Sequence, residues 1–589
     1  MMKGAALVLA LSLGLPGTRA QLTPSPTYSP PSATQATVTS TATPNAQWET
    51  VMGNSLWFYD AQRSGNLDQG TYGNRVSWRN NSCTTDGSDW GVDLSGGWYD
   101  AGDYIKATFP LGFTLFALAW GGLSYGPAYD TAAQTAYLDG TLRWGFDWLM
   151  RAHPSDDQLF VQVGSLDVDQ AYWGGDLGIP GPRTAYPVNA SAPGTDVWAS
   201  TAAAFAIGAL LYQGVNWNTS SSSHAPASLA NQTYAGQLLK HAETLYNVAN
   251  TTTQAIYSNS VPAIGQAYTS SGFGDDLTVA GLALAAATNN SAYYVDAYTN
   301  YQKYALSGKQ SVWNWDSRTP AAFLLFAEIS TARPGLPAGA GLEANVSGWQ
   351  KESEAYLDAI VNSHLQNGFM TNGGLLYYNG DSDEASLNPA LAAAALLNRY
   401  APLASSTDKA SSYNNYAQSQ LSYALGDNPM SSVYMVGQHP NSPQNPHSGL
   451  AAGGSNINNI RTDPETEAYV LYGALVGGPL KTDKFWDWRD DWVQCEVALD
   501  YNANLPALAA WQLLNSSSDP YYVQVQGGTY SIPKGEPCDA ALSCRSGVSK
   551  GAIAGAVVGV VLGLLVILGL LWWQRDRIRR WRRSSKFAQ

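Results

Sequence analysis

The stretch DKFWDWRDDWVQCEVALDYNANLPALAAW, residues 483–511, sets the terms for the whole chain. Its first half is acidic and aromatic, with Glu496 and Asp500 set among Trp, Tyr and Asn. Its second half is an apolar Ala/Leu run of helical character. Similar Ala/Leu-rich runs at 197–212, 276–288, 386–400 and 505–514 read as buried helices. Strand-like alternation is scarce, and no Gly-rich strand-to-helix phosphate loop is present. The pattern predicts a large all-α domain over about residues 47–516, with chemistry carried on the loops between helices. A second acidic loop, DLSGGWYDAGDYIKATFP at 93–110, places Asp100 and Asp103 three apart among glycines and aromatics. Aromatic planes suit the C–H face of a pyranose ring. Acetal hydrolysis needs one protonated carboxylic acid and one carboxylate, and these two loops can supply both.

Composition narrows the field. The 589 residues carry 31 Lys+Arg against 45 Asp+Glu, a net charge of −14, with 21 Trp and 34 Tyr. Such a balance argues against a nucleic-acid partner, because phosphate recognition needs a basic surface. Four cysteines are too few for a disulfide scaffold and lack zinc-site spacing. Cys538 and Cys544 are spaced to close a small loop. Cys83 and Cys495 remain as a second candidate pair, with free buried thiols as the alternative.

The ends of the chain suggest where it works. Residues 1–20 read as a secretory signal peptide. Residues 21–46 hold 16 Ser, Thr or Pro and read as an extended linker. A stalk is expected over 517–551. Residues 552–573 form an uncharged apolar run of 22 residues, long enough to span a membrane. The tail 574–589 contains seven Lys/Arg and one Asp, which predicts a cytoplasmic C-terminus and an extracellular domain. Gly555, Gly559 and Gly563 continue a four-residue stripe from Gly551 that permits close pairing of two membrane helices. Eight Asn-x-Ser/Thr sequons agree with a secreted glycoprotein.

Nine strings, in order along the chain, resemble glycoside hydrolase family 9, the inverting cellulases. They are FYDAQRSGNL (58–67), VSWRNNSCTTDG (76–87), GGWYDAGDYIK (96–106), QVGSLDVDQAYW (162–173), PGTDV (193–197), GDNP (426–429), YMVG (434–437), GALVGGP (473–479) and CEVALDYNA (495–503). The resemblance implies an (α/α)6 barrel, to which the apolar run 552–573 would add a single C-terminal transmembrane helix, and endo-β-1,4-glucanase action on cellulose or a related β-glucan. It implies Asp103 as general base, Asp100 as the residue orienting the attacking water, and Glu496 as general acid with Tyr501 beside it. An aromatic setting from Trp492 and Tyr501 would raise the Glu496 pKa by desolvation. His447, Trp173, Tyr186 and Trp313 are candidate sugar contacts. A structural calcium is implied at SSGFGDD, with Ser271, Gly272, Asp275, Asp276 and Asp316 as ligands and an Asp-rich helix start as the alternative. No catalytic metal is expected. Three departures fall in substrate subsites: Gly449 stands for an arginine, Gln170 for a histidine, and Glu384 and Asn388 for a tryptophan and an arginine. Exo-acting glucosidase or glucosaminidase activity and an inactive carbohydrate receptor remain alternatives at this stage.

Overall fold

The computed structural model of the chain describes residues 44–68, 73–214, 224–265, 267–530, 532–544, 564–575 and 577–578. The signal-peptide segment, most of the linker, the first half of the apolar span and the glycine stripe lie outside these residues.

Alanine and leucine suit a helix packed on every side, because small and unbranched side chains let neighbouring backbones close in at little entropic cost. Between residues 44 and 536 the described chain forms twelve helices of eleven residues or more. They are α1 (Ala46–Ala61), α2 (Thr108–Thr131), α3 (Thr135–Ala152), α4 (Thr195–Tyr212), α5 (Gln232–Thr251), α6 (Gly274–Thr288), α7 (Ser291–Lys303), α8 (Thr319–Ala332), α9 (Val346–Val361), α10 (Leu387–Tyr400), α11 (Thr407–Ala424) and α12 (Leu505–Asn515). The even-numbered helices are buried almost throughout. Helices α3, α5, α7, α9 and α11 bury one stripe and expose the other face. Each even-numbered helix packs on the next, and α12 returns to α2, so the inner ring closes. The architecture is an (α/α)6 barrel, as the resemblance implied.

Contacts at both ends show that the inner helices run parallel. Near their C-terminal ends, Arg399 of α10 pairs with Glu328 of α8 at 2.7 Å, donates to the Trp120 carbonyl of α2 at 2.9 Å, and lies over the Trp120 ring. Near their N-terminal ends, Arg318 before α8 faces Asp276 of α6 at 3.5 Å and hydrogen-bonds Ser200 of α4. The loops entering the inner helices therefore gather at one end of the barrel. Both acidic loops are among them, since residues 93–107 lead into α2 and 483–504 lead into α12.

Three short strands, β1 (Lys106–Ala107), β2 (Leu159–Val163) and β3 (Ala185–Val188), form an antiparallel sheet in that order beside the first acidic loop.

The domain ends later than the sequence suggests. Asn45 caps α1 and its amide donates to Asp519 at 2.7 Å. The Trp48 indole donates to the Ser518 carbonyl at 2.9 Å, and Tyr522 is buried. The first part of the expected stalk thus belongs to the compact unit, which closes at Glu536. In the second unit Cys538 and Cys544 are bonded, whereas Cys83 and Cys495 are free thiols. The candidate Cys83–Cys495 bridge is therefore not formed. Leu564–Arg575 is an apolar helix with exposed side chains. Thr195–Tyr212 is long and apolar enough to cross a membrane, but it is α4, wholly buried in the barrel.

Candidate active site

Three loops meet where the carboxylates lie, and backbone hydrogen bonds join them. Leu499 N donates to Asp100 O at 3.0 Å, Gly449 N to Gly102 O at 2.8 Å, and His447 N to Cys495 O at 2.7 Å. Gly477 N binds Glu496 O at 2.9 Å from a fourth segment. Glycine is required at 102, because a Cβ there would lie 2.1 Å from the His447 carbonyl oxygen. The loop also needs Gly97, which has φ +67° and turns its open side onto the Trp148 ring. A buried cation pair braces the loop from behind. Asp86 holds Lys106 at 2.7 Å and Arg183 at 2.8 Å, and Arg183 donates to the Tyr104 carbonyl at 2.9 Å.

These bonds place Asp100, Asp103 and Glu496 in one electrostatic neighbourhood. Asp100 is 2% exposed, and one of its oxygens accepts the Tyr268 hydroxyl. Burial pushes its pKa well up, and the neighbouring Asp500 and Asp103 push the same way. Asp103 is half-buried and its pKa is raised by desolvation, against a lowering contribution from a hydrogen bond with Asp169. Glu496 is raised well above the ordinary glutamate value, first by burial and then by Asp103 and Asp100. A carboxyl so placed is held in its acid form, whereas Asp103 receives help from His447, Arg183 and Asp169 toward ionisation.

The remaining expected residues divide. His447 donates Nδ1–H to the Arg489 carbonyl at 2.6 Å, which leaves Nε2 free, and its ring centre is 4.9 Å from that of Trp173. Tyr501 is partly buried and shares an electrostatic environment with Glu496, Asp500 and Glu384. Tyr186 is partly buried on β3, opposite Gln162. Two expectations need correction. Trp313 is 3% exposed and packs edge-on against Phe113 and Trp120, so it is a core residue. Trp492 is 38% exposed, so its ring does not enclose Glu496.

Residues beyond the expected set also take part. Asn388 donates to Asp500 at 3.0 Å, and burial pushes the Asp500 pKa up to about 7. Tyr268 donates to Asp100, and Asp169 is coupled electrostatically to Asp103. Asp500 was visible four residues after Glu496. Tyr268 carried no local signal, because nothing in its sequence neighbourhood points to Asp100.

A cavity of 520 Å³ opens at the loops entering α6 and α8 and is lined in part by Ser271, Gly272, Asp275 and Asp316. One oxygen of Asp275 caps α8, accepting from Arg318 N at 2.7 Å and Thr319 N at 2.9 Å. Asp316 accepts Ser271 N at 2.7 Å. Asp276 is set apart from these four, being fully buried and turned to Arg318. Among the described residues no three His, Cys, Asp or Glu side chains converge as a ligand set.

Residues 48–509 match the family model described as Glycosyl hydrolase family 9. The chain belongs to glycosyl hydrolase family 9. It is 34% identical over 455 residues to Endoglucanase A of Bacillus pumilus, covering 77% of this chain and 64% of that protein. It is 31% identical over 488 residues to Endoglucanase 10 of Arabidopsis thaliana, covering 79% and 87%. The structure of a termite endoglucanase, from Nasutitermes takasagoensis, superposes with a TM-score of 0.69 at 31% identity, covering 79% of this chain and 98% of that one. The chain spans less than two thirds of the Bacillus pumilus relative and 42% of Endoglucanase B of Cellulomonas fimi.

For a family 9 site joined through its backbone, Gly102→Ala should lower glucan hydrolysis about 100-fold, since a displacement near 1 Å is enough for that loss. Activity measured alongside circular dichroism checks this. A folded variant with undiminished activity would show that the contact with His447 does not position the loop.

Proposed function

We propose that this domain is an endo-acting β-1,4-glucanase that hydrolyses cellulose or a related β-glucan with inversion. The observation that carries the reading is the joining of the Asp100–Asp103 loop to the Glu496 loop, with Glu496 shifted toward its acid form. Relatives named endoglucanases support it, as does the CelQ endoglucanase of Clostridium thermocellum, 28% identical with a TM-score of 0.66, whose structure was determined with cellotriose.

In this mechanism the Asp103 carboxylate removes a proton from water as the water oxygen attacks the anomeric carbon. Glu496 donates its proton to the departing glycosidic oxygen as the C–O bond breaks. Asp100, fixed by Tyr268 through one oxygen, has its other oxygen buried without a protein partner and so available to hold the water. His447 offers its Nε2 to a sugar hydroxyl, and the buried Trp173 packs beside it. Activity needs Asp103 ionised, so it falls as pH drops through a value above the ordinary aspartate range. It also needs Glu496 protonated, so it falls as pH rises through a value above the ordinary glutamate range.

Calcium fits the cavity before α6 and α8 in part. Asp275 keeps one oxygen outside its capping role, Asp316 lines the same space, and the loop carbonyls of Ser271 and Gly272 are hard oxygen donors. A cation there would tie the loop before α6 to the loop before α8. Its role would be structural, and Asp276 would stand outside the ligand set.

The proposed location is the outer face of a membrane, anchored through residues 552–573. Support comes from the apolar run in the sequence and from its described part, which is helical from Leu564 with exposed apolar side chains.

Glu496→Gln should reduce glucan turnover about 10²–10⁴-fold, but much less on an aryl cellobioside whose leaving group needs no proton. Asp103→Asn should fail on both substrates. Equal loss on both by Glu496→Gln would reject it as the general acid. Endo-action predicts a rapid fall in viscosity of a soluble β-glucan relative to reducing ends released, and a slow fall would indicate exo-action. Stripping divalent cations with a chelator should lower Tm, with recovery on adding calcium, and Asp316→Ala should abolish that response. An unchanged Tm after chelation would exclude the calcium. The full chain should sediment with membranes after alkaline carbonate washing, while a chain lacking residues 552–589 should be soluble; a soluble full chain would refute the anchor.

A further inference from the structure

We infer that Asp169 is a positioning residue for the reaction: as a neutral carboxylic acid it donates a hydrogen bond to the Asp103 carboxylate and so sets the pH at which that base becomes available. The inference rests on the assignment of Asp103 as general base.

Geometry carries it. Asp169 sits at the end of the short helical turn Leu166–Asp169 and is 5% exposed. Its Oδ1 accepts the backbone N–H of Tyr104 at 3.0 Å, which fixes the carboxyl against the residue following Asp103. That contact sets the Asp169 carboxyl beside the Asp103 side chain, with which it interacts. Asp169 Oδ2 and Asp103 Oδ1 are both buried, and neither has a hydrogen-bond donor. Two ionised carboxylates cannot satisfy each other, so the pairing requires one proton between them.

The surroundings decide which carboxyl keeps that proton. Asp103 is the more open to solvent and faces His447 and Arg183, both of which favour its ionised form. Asp169 is the more buried, and that burial, with Asp103 beside it, raises its pKa to about 10 against the opposing influence of Arg183. Glu496 also lies in this field, and its acid form is favoured by the same Asp103 charge. A neutral Asp169 thus supports the ionised base without adding a negative charge beside the general acid. The adjacent Gln170 is exposed, whereas Asp169 is buried.

The test compares Asp169→Ala and Asp169→Asn with wild type and Asp103→Asn, in full pH profiles of kcat and KM on a soluble β-glucan. Asparagine reproduces the protonated acid, since its oxygen can accept Tyr104 N–H and its amide can donate to Asp103. Asp169→Ala should lower kcat about 10–100-fold, leave KM little changed, and move the acid limb up by about one pH unit. Asp169→Asn should restore most of kcat and return the acid limb toward its wild-type position. Substitution of Asp169 by alanine with an unmoved acid limb, or an asparagine variant as impaired as the alanine one, would overturn the inference. An active Asp103→Asn enzyme would instead overturn the base assignment beneath it. Circular dichroism of each variant separates these outcomes from misfolding, and a misfolded alanine variant leaves the asparagine acid limb as the deciding measurement.

Discussion

The backbone hydrogen bonds from Leu499 to Asp100, Gly449 to Gly102 and His447 to Cys495 hold together three loops, the first of which lies hundreds of residues before the other two. No catalytic side chain contributes to them. They depend instead on close approach of main chains, which Gly102 alone permits at its crossing with His447. A buried backbone group without a partner is costly, so once the loops dock their relative placement has little freedom. The (α/α)6 frame makes the docking geometrically available, because parallel inner helices deliver their entry loops to one end. The position of Glu496, the proposed general acid, relative to Asp103, the proposed base, is thus a property of the main chain, stabilised from beneath by Arg183, Lys106 and Asp86.

That rigidity permits an otherwise unfavourable concentration of acids. Asp100, Asp103, Asp169, Glu496 and Asp500 share one region, and burial raises the pKa of each. If all were ionised together, repulsion and desolvation would open the loops. Individual partners divide the protons among them. Asn388 donates to Asp500 and Tyr268 to Asp100, while Asp103 draws on His447, Arg183 and Asp169. Catalysis by inversion needs this inequality, one carboxyl protonated and another ionised at the same pH. Loop geometry sets where the acids lie, and local hydrogen-bond donors set their charge.

Much of this was legible in the sequence because it is local. The Ala/Leu runs that became α4, α6, α10 and α12 announce themselves through composition, and the acidic loops through their glycines and aromatics. The misreadings share a cause, namely that the deciding contact is distant in sequence. Trp313 looked like a sugar platform until Phe113 and Trp120 enclosed it. Asp276 looked like a ligand in an acidic pair, but Arg318 claims it, while Asp275 caps α8 and leaves its own helix uncapped. Residues 517–536 read as stalk by composition and are held to the domain by Asn45 and Trp48, more than four hundred positions earlier.

The same distance dependence changes the meaning of the departures from the family pattern. Taken one at a time, Asn388, Gly449 and Gln170 are lost sugar contacts. In the folded chain Asn388 neutralises part of the demand of Asp500, which an arginine would meet with a full positive charge near Glu496. Gly449 lies under Gly102, where a side chain would begin 3.1 Å from the Gly174 carbonyl and 3.2 Å from the Tyr104 hydroxyl, tighter than ordinary contact. Its small size belongs to the packing that holds the base loop in place. Two of the three substitutions therefore bear on the charge or position of the carboxylates proposed to be catalytic. Their effect on sugar binding cannot be separated from their effect on the acid–base pair, because one set of loops carries both.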